Sequence, residues 1–235
     1  MMNRNWIPEF SLVHPTARPS EWKKTRDLWI EAAWEPNAIE HVVCMDWGSG
    51  AITPKDAEPS RLVWNYGKHC SVDATNVAAQ CAVGKVLVVI SDDTYPCPYW
   101  DANLRNVPGL FSDKPCVVRV RTGGTGDDRG LLTIQILNRI RYEEVGYLFH
   151  PAFASMFSDD EFSIRAAQDG VLVDAPDILM PHEHWTTGER PKDSVYERQN
   201  APARYKYGAA LLRWRQDNRW PAMVPPQFLE ARGKI

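Results

Sequence analysis

No stretch of this chain stays apolar for anything near the ~20 residues that a membrane-spanning helix requires. The opening residues 1–10 are polar and include Pro8, which does not read as a signal peptide. Both absences point to a protein without a membrane partner, expected in the cytoplasm. Paired-cysteine spacings are missing too. Cys44, Cys70, Cys81, Cys97 and Cys116 are odd in number, and no two stand as in a zinc ribbon or a Cys-x-x-Cys motif. Free, buried thiols in a reducing compartment are the expectation. Nor is there an excess of positive charge. With 27 Lys and Arg against 30 Asp and Glu, the net charge is −3, so the surface as a whole is not built to grip a phosphate backbone. Repeats and low-complexity segments are also absent.

What remains is a chain of 235 residues, 44% hydrophobic and 24% charged, enough for one large α/β domain and too few for two. Its ten tryptophans are core residues first, and platforms for a sugar or a base second. Hydrophobic periodicity predicts strands over 10–14, 41–46, 61–65, 85–91, 115–120 and 178–185. It predicts helices over 20–34, 72–83, 99–106, 132–144 and 203–214, with loops at 47–60, 121–130 and 188–198. Ser20 is read as the N-cap of the first helix. Ser158 with Glu161 is read as a capping box opening another helix. Strand–helix alternation of this kind gives a Rossmann-type, mostly parallel sheet flanked by helices.

The most informative stretch is Val86-Leu87-Val88-Val89-Ile90-Ser91-Asp92-Asp93. Five consecutive apolar residues read as a strand buried on both faces. The two acids fall at its C-terminal end, where open α/β sheets bind ligands. Carboxylates there can hold a hard divalent cation, which in turn holds phosphate oxygens. Before it come Gly67, then Ala74-Thr75-Asn76 on a helix, then Gly84 at the helix end.

This order of glycine, small-x-Asn helix, glycine, buried strand and acid pair resembles the family 2 glycosyltransferases, which have the GT-A fold. The resemblance covers about 9–185. It implies a single domain with a nucleotide-sugar half at about 9–120, an acceptor half at about 121–190 and a helical tail over 191–235. By resemblance Asp92 faces the nucleotide and Asp93 ligates the metal, and Asn76 belongs to the donor side. An acid that many relatives carry two places before Asp92 is Ile90 here. The loop after the first strand, with His14, Thr16 and Arg18, would cradle the nucleotide; an Arg there can pair with phosphate. Asp46-Trp47-Gly48-Ser49 resembles an Asp-Asp-Gly-Ser element that contacts the base, with Trp47 replacing the second acid.

Asp159-Asp160 resembles the acidic pair on the acceptor side whose second member is the general base. That assigns the base to Asp160, with Glu161 next in line. A carboxylate at a helix N-terminus is expected to be held ionised by the dipole. His182 and His184 stand two apart, on one face of a strand. A late histidine completes the cation shell in many GT-A enzymes, and mixed carboxylate and imidazole ligation suits Mn²⁺ better than Ca²⁺; the expected cation is Mn²⁺ or Mg²⁺. Sequence does not choose between the two imidazoles. In the tail, Arg204, Tyr205, Lys206, Tyr207, Arg213, Trp214, Arg215, Arg219 and Trp220 interleave cations with aromatics, a pattern that suits nucleic acid and equally an amphipathic helix over the sheet.

The expectation is a metal-dependent inverting glycosyltransferase using a nucleotide-diphosphate sugar, UDP first. The acceptor would be a hydroxyl of a glycan, a protein or a hydroxylated DNA base such as 5-hydroxymethylcytosine, the last a viral-type chemistry. The alternatives are a nucleotidyltransferase and a non-catalytic sugar- or nucleic-acid-binding module. A nucleotidyltransferase should carry a Gly-rich basic loop after the first strand, which this chain lacks.

Overall fold

A computed structural model gives the fold and describes residues 7–46, 53–67, 70–124, 127, 129–183 and 191–235. Trp47 and His184 lie outside the described residues. The strands are β1 (Phe10–Thr16), β2 (Ile39–Asp46), β3 (Arg61–Asn65), β4 (Val86–Val89), β5 (Val117–Arg121), β6 (Ile136–Asn138) and β7 (Leu172–Leu179). They form one sheet in the order β3-β2-β1-β4-β6-β5-β7. The β3–β2, β2–β1, β1–β4 and β5–β7 pairs are parallel, and β6 runs antiparallel to both β4 and β5.

The unbroken apolar run of β4 is explained by its two covered faces. Val86 and Val88 join one core cluster with Phe10, Leu12, Trp29 and Trp100, while Leu87 and Val89 join the other with Val13, Val42, Ala74 and Ala78. Successive side chains point to opposite faces, so both sets must be apolar. Each such side chain contributes roughly 1.5–3 kcal/mol by leaving water. Trp29 and Trp100 are fully buried and meet edge to face at 5.4 Å, the core role expected of tryptophan.

The helices are α1 (Trp22–Glu31), α2 (Pro54–Ala57), α3 (Ser71–Cys81), α4 (Trp100–Arg105), α5 (Arg139–Val145), α6 (Ser158–Gln168), α7 (Ser194–Gln199), α8 (Pro202–Asp217) and α9 (Pro226–Gly233). Several expectations need correction. The predicted helix over 132–144 is a three-residue strand followed by α5, and Asn138 caps α5 by accepting from the Arg141 N–H. The predicted strand over 178–185 ends at Leu179; His182 instead makes an isolated bridge with Thr94. The segment read as loop over 188–198 contains the start of α7. Ser20 does not cap α1, whose N-cap is Glu21 without a side-chain bond. Ser158 and Glu161 form no capping box. Phe157 is the N-cap of α6, the Ser158 hydroxyl donates to the Ser155 carbonyl, and Glu161 is paired with Arg215.

Gly84 is required by a close approach of the backbone. A Cβ there would lie 2.5 Å from Ser11 Oγ and 2.9 Å from the Phe10 carbonyl carbon. The chain must pass flush against β1 before entering β4. Among the described residues no helix is long and apolar enough to cross a membrane.

Candidate active site

The C-terminal ends of β1, β2 and β4 open into a cleft of about 800 Å³. Its lining includes Thr16, Arg18, Asp46, Asp92, Asp93, Arg129, Asp159, Asp160, His182, Tyr196 and Tyr205. The acids expected for the donor side and for the acceptor side therefore share one cavity, although 66 or more positions separate Asp93 from the second pair.

Asp92 is buried at the end of β4 and holds the end of β1. Its Oδ2 accepts from the Thr16 hydroxyl at 2.7 Å, its Oδ1 lies 3.0 Å from His14 Nε2, and Arg18 approaches to 3.5 Å. His14 in turn contacts His41 through its other ring nitrogen at 3.1 Å. Burial first, then the neighbouring His14 and Arg26, push the His41 imidazole well below the usual histidine range, so it is neutral. His14 is fully buried behind Asp92. Its expected contact with the nucleotide is replaced by positioning of that carboxylate.

Asp93 points to a different set of partners. Ser91 and Tyr196 donate their hydroxyls to it, and His182 Nε2 lies 3.5 Å away. Burial works against its charge, but the bonds from His182, Ser91 and Tyr196 outweigh it and hold the carboxyl well below the usual carboxylate range. His182 is brought there by backbone bonds: the Glu183 N–H donates to the Asp93 carbonyl at 2.9 Å, and the His182 N–H to the Thr122 carbonyl at 3.1 Å. A carboxylate and an imidazole thus converge from two separate segments. Among the described residues no third His, Cys, Asp or Glu joins them to make a complete metal cage. An ionised carboxylate beside an imidazole, in a cleft open to a diphosphate, is a donor set that fits Mn²⁺ or Mg²⁺, because such ions take much of their shell from substrate phosphates and water.

Asp46 accepts from the Asn65 amide at 2.9 Å and lies 3.5 Å from Arg198. Asn76, by contrast, is not in the cleft lining. Its amide oxygen accepts from the Leu148 and Phe149 N–H groups and its nitrogen donates to the Phe149 carbonyl at 2.7 Å. It fastens Leu148 and Phe149 to α3.

Three residues of α7 and its cap were not singled out from sequence. Asp193 caps the helix and takes a two-pronged bond from Arg18, 2.7 Å to Nε and 3.1 Å to Nη2. Tyr196 carries the Arg18 guanidinium over its ring at 4.7 Å while its hydroxyl reaches Asp93. Arg198 reaches Asp46. The N-cap Asp193 is legible as a helix start. The contacts it leads to span about 100 to 175 positions, and no local pattern encodes them.

At the other end of the cleft Asp159 and Asp160 begin α6. The dipole does not win here. Burial first, and then the like charge of Asp160, push the Asp159 carboxyl up to about 6, and burial also raises Asp160 against the pull of Arg129. Glu161 is not an alternative base. It is 3% exposed, and both its oxygens are bound by the fully buried Arg215.

Comparison with solved structures decides what this architecture is. A mannosyltransferase from Pyrobaculum calidifontis, solved with GDP-mannose and Mn²⁺, superposes with a TM-score of 0.61 at 17% identity, over 97% of this chain and 69% of that one. The fold is that of the GT-A glycosyltransferases. S. aureus TarS 1–349 with UDP-GlcNAc matches this GT-A chain with a TM-score of 0.60 at 13% identity, over 87% of it and 65% of TarS 1–349. Glucosyl-3-phosphoglycerate synthase from Mycobacterium tuberculosis, with Mg²⁺ and UDP, gives 0.59 at 15% identity, over 88% and 79%. No family model and no curated protein sequence matches the GT-A chain.

Proposed function

We propose that this chain is a glycosyltransferase that binds a nucleotide-diphosphate sugar at the ends of β1, β2 and β4 and passes the sugar to an acceptor hydroxyl delivered beside Asp160. The observation that carries the reading is one cleft holding both Asp93 with His182 and Asp159 with Asp160, in a GT-A fold. Asp93 and His182 would hold the cation, which when bound neutralises charge on the departing diphosphate. Asp46 and Asp92, with Arg18 and Thr16, would border the nucleoside and its phosphates. Asp160 takes the proton as the acceptor oxygen attacks the anomeric carbon. The bond to the diphosphate breaks on the opposite face, and the configuration inverts. The solved neighbours hold uridine or guanosine nucleotides, so UDP and GDP are the first to test. The loop after β1 carries no glycine between Ala17 and Glu21, which leaves a triphosphate of the nucleotidyltransferase kind without a backbone cradle.

Asp93→Ala should abolish Mn²⁺-dependent binding of UDP or GDP in titration calorimetry while leaving the circular dichroism spectrum unchanged. Equal nucleotide affinity in Asp93→Ala, in the presence of a chelator, would remove the cation from that carboxylate.

A further inference from the structure

At the acceptor end of the cleft two aromatic rings stand beside the acid pair. Phe157 immediately precedes Ser158-Asp159-Asp160, and Tyr205 lies on α8; both line the cavity with those acids. Their ring centroids are 4.8 Å apart at an interplanar angle of 66°. Tyr205 is 54% exposed, whereas Tyr207, two positions on, is 8% exposed and donates its hydroxyl to the Ala152 carbonyl. The helix thus carries one tyrosine buried in the core and one held half exposed against Phe157. Core filling accounts for Tyr207 and not for Tyr205.

The backbone has been arranged to place the pair. Phe157 has φ of 71°, a left-handed conformation that a bulky L-residue adopts only at a cost. Gly208, one turn beyond Tyr205, is the point where α8 meets this bend: a Cβ there would lie 2.3 Å from the Met156 carbonyl oxygen and 3.0 Å from Phe157 Cδ2. Only a glycine lets the helix press against 156–157, and that approach carries Tyr205 onto Phe157.

Resting on the glycosyltransferase reading, we propose that Phe157 and Tyr205 form the acceptor platform and that the acceptor is a neutral pyranoside, whose C–H face lies on an aromatic ring while a rim hydroxyl turns toward Asp160. Charge separates this from the other acceptors. Among the described residues the acceptor end offers Arg129 against Asp159 and Asp160, no surplus of cations for a phosphorylated acceptor. Two tail cations that a nucleic acid would need are committed elsewhere: Arg215 to Glu161, and Arg204 to Gln199 and the Ile235 carbonyl. An apolar sugar face and a ring of hydroxyls need neither.

The test uses the full chain with UDP or GDP and Mn²⁺ present, and methyl α- and β-pyranosides of glucose, mannose and N-acetylglucosamine as probes. Saturation-transfer NMR should show transfer from aromatic protons to the pyranose C–H groups. Tyr205→Ala should weaken the best pyranoside by about tenfold, the scale of one lost ring contact, and Tyr205→Phe should keep it. Tyr99→Ala is the matched control. Tyr99 is 55% exposed, has φ of 55° and meets Trp34 edge to face at 5.4 Å, but it is outside the cleft lining. Nucleotide binding should be equal in all four proteins. Pyranoside affinity unchanged in Tyr205→Ala overturns the platform and leaves the donor site standing. So does a nucleotide-loaded wild type that ignores every pyranoside, or that instead binds a single-stranded oligonucleotide at low salt. A wild type that binds no nucleotide at all overturns the platform and the glycosyltransferase reading together.

Discussion

Asp159 and Asp160 are adjacent carboxylates in a partly buried helix end; burial raises both, and the charge of Asp160 raises Asp159 further. The base must be ionised to take a proton, so the raised Asp160 carboxyl moves the acid limb of kcat/KM above the ordinary carboxylate value. Activity is present above that limb and is lost as pH falls through it. Arg129→Ala removes the cation that lowers the Asp160 carboxyl and should move the limb to higher pH; a limb that does not shift takes Asp160 out of the proton transfer. Asp160→Asn keeps size and shape but accepts no proton. Turnover should fall by about 10²-fold or more, with UDP or GDP affinity unchanged in calorimetry. With Glu161 tied to Arg215, near-normal turnover in Asp160→Asn would pass the role to Asp159.

Between elements, the bond of α6 to α8 is the most consequential. Glu161 and Arg215 are 3% and 0% exposed, and Arg215 also donates to the Pro221 carbonyl. The rest of α8 adds little amphipathic direction of its own, because its buried positions Arg204, Tyr207, Gly208, Leu211 and Arg215 mix charge with small and apolar groups. Arg215→Ala leaves the Glu161 carboxylate buried without its cation and should cost about 3–5 kcal/mol in urea unfolding. Arg213→Ala, on the exposed side, should stay within about 0.5 kcal/mol. A loss below about 1 kcal/mol for Arg215→Ala would mean that Glu161 finds water or protonates. The sequence pattern placed both arginines among the cations available to DNA. Burial of one of them follows from a partner 54 positions away, which periodicity does not report.

The same distinction runs through the fold. The unit from α3 through β4 to Asp92 and Asp93 is legible because all its determinants are local: a small-residue helix face, a close-approach glycine, an unbroken apolar run and two acids at its end. The stretch over 132–144 is misread because Leu132, Ile136 and Ile140 repeat every four residues, while what decides the structure is the free edge of β4 that takes Ile136–Asn138 as an antiparallel neighbour. Asn138 carried the usable signal, an N-cap three residues before the Arg141 N–H it receives. Asp93 and His182 are each visible alone. Their meeting depends on the Thr94–His182 bridge, and the bending of the chain after β7 has no local signature.

At the scale of the whole molecule, the described strands form one continuous sheet, so the cleft walls are ends of the same strands and loops fixed to them. The tail completes the body: Arg232 of α9 binds the Phe153 carbonyl at 2.9 Å and pairs with Asp73 at the start of α3. One short piece of this tail has a kinetic consequence. Asp193, Tyr196 and Arg198 already hold Arg18, Asp93 and Asp46, so an incoming nucleotide would replace partners instead of finding vacant ones. If α7 must let go of those groups for the nucleotide to enter, binding is an exchange, and only the fraction of molecules with α7 released is competent to bind. In stopped-flow mixing with UDP or GDP and Mn²⁺, the observed rate should climb at low nucleotide and then level off at the rate at which α7 lets go. Asp193→Ala should raise that plateau by cutting the bond to Arg18. A rate that rises in proportion to nucleotide without limit would show that α7 does not gate entry.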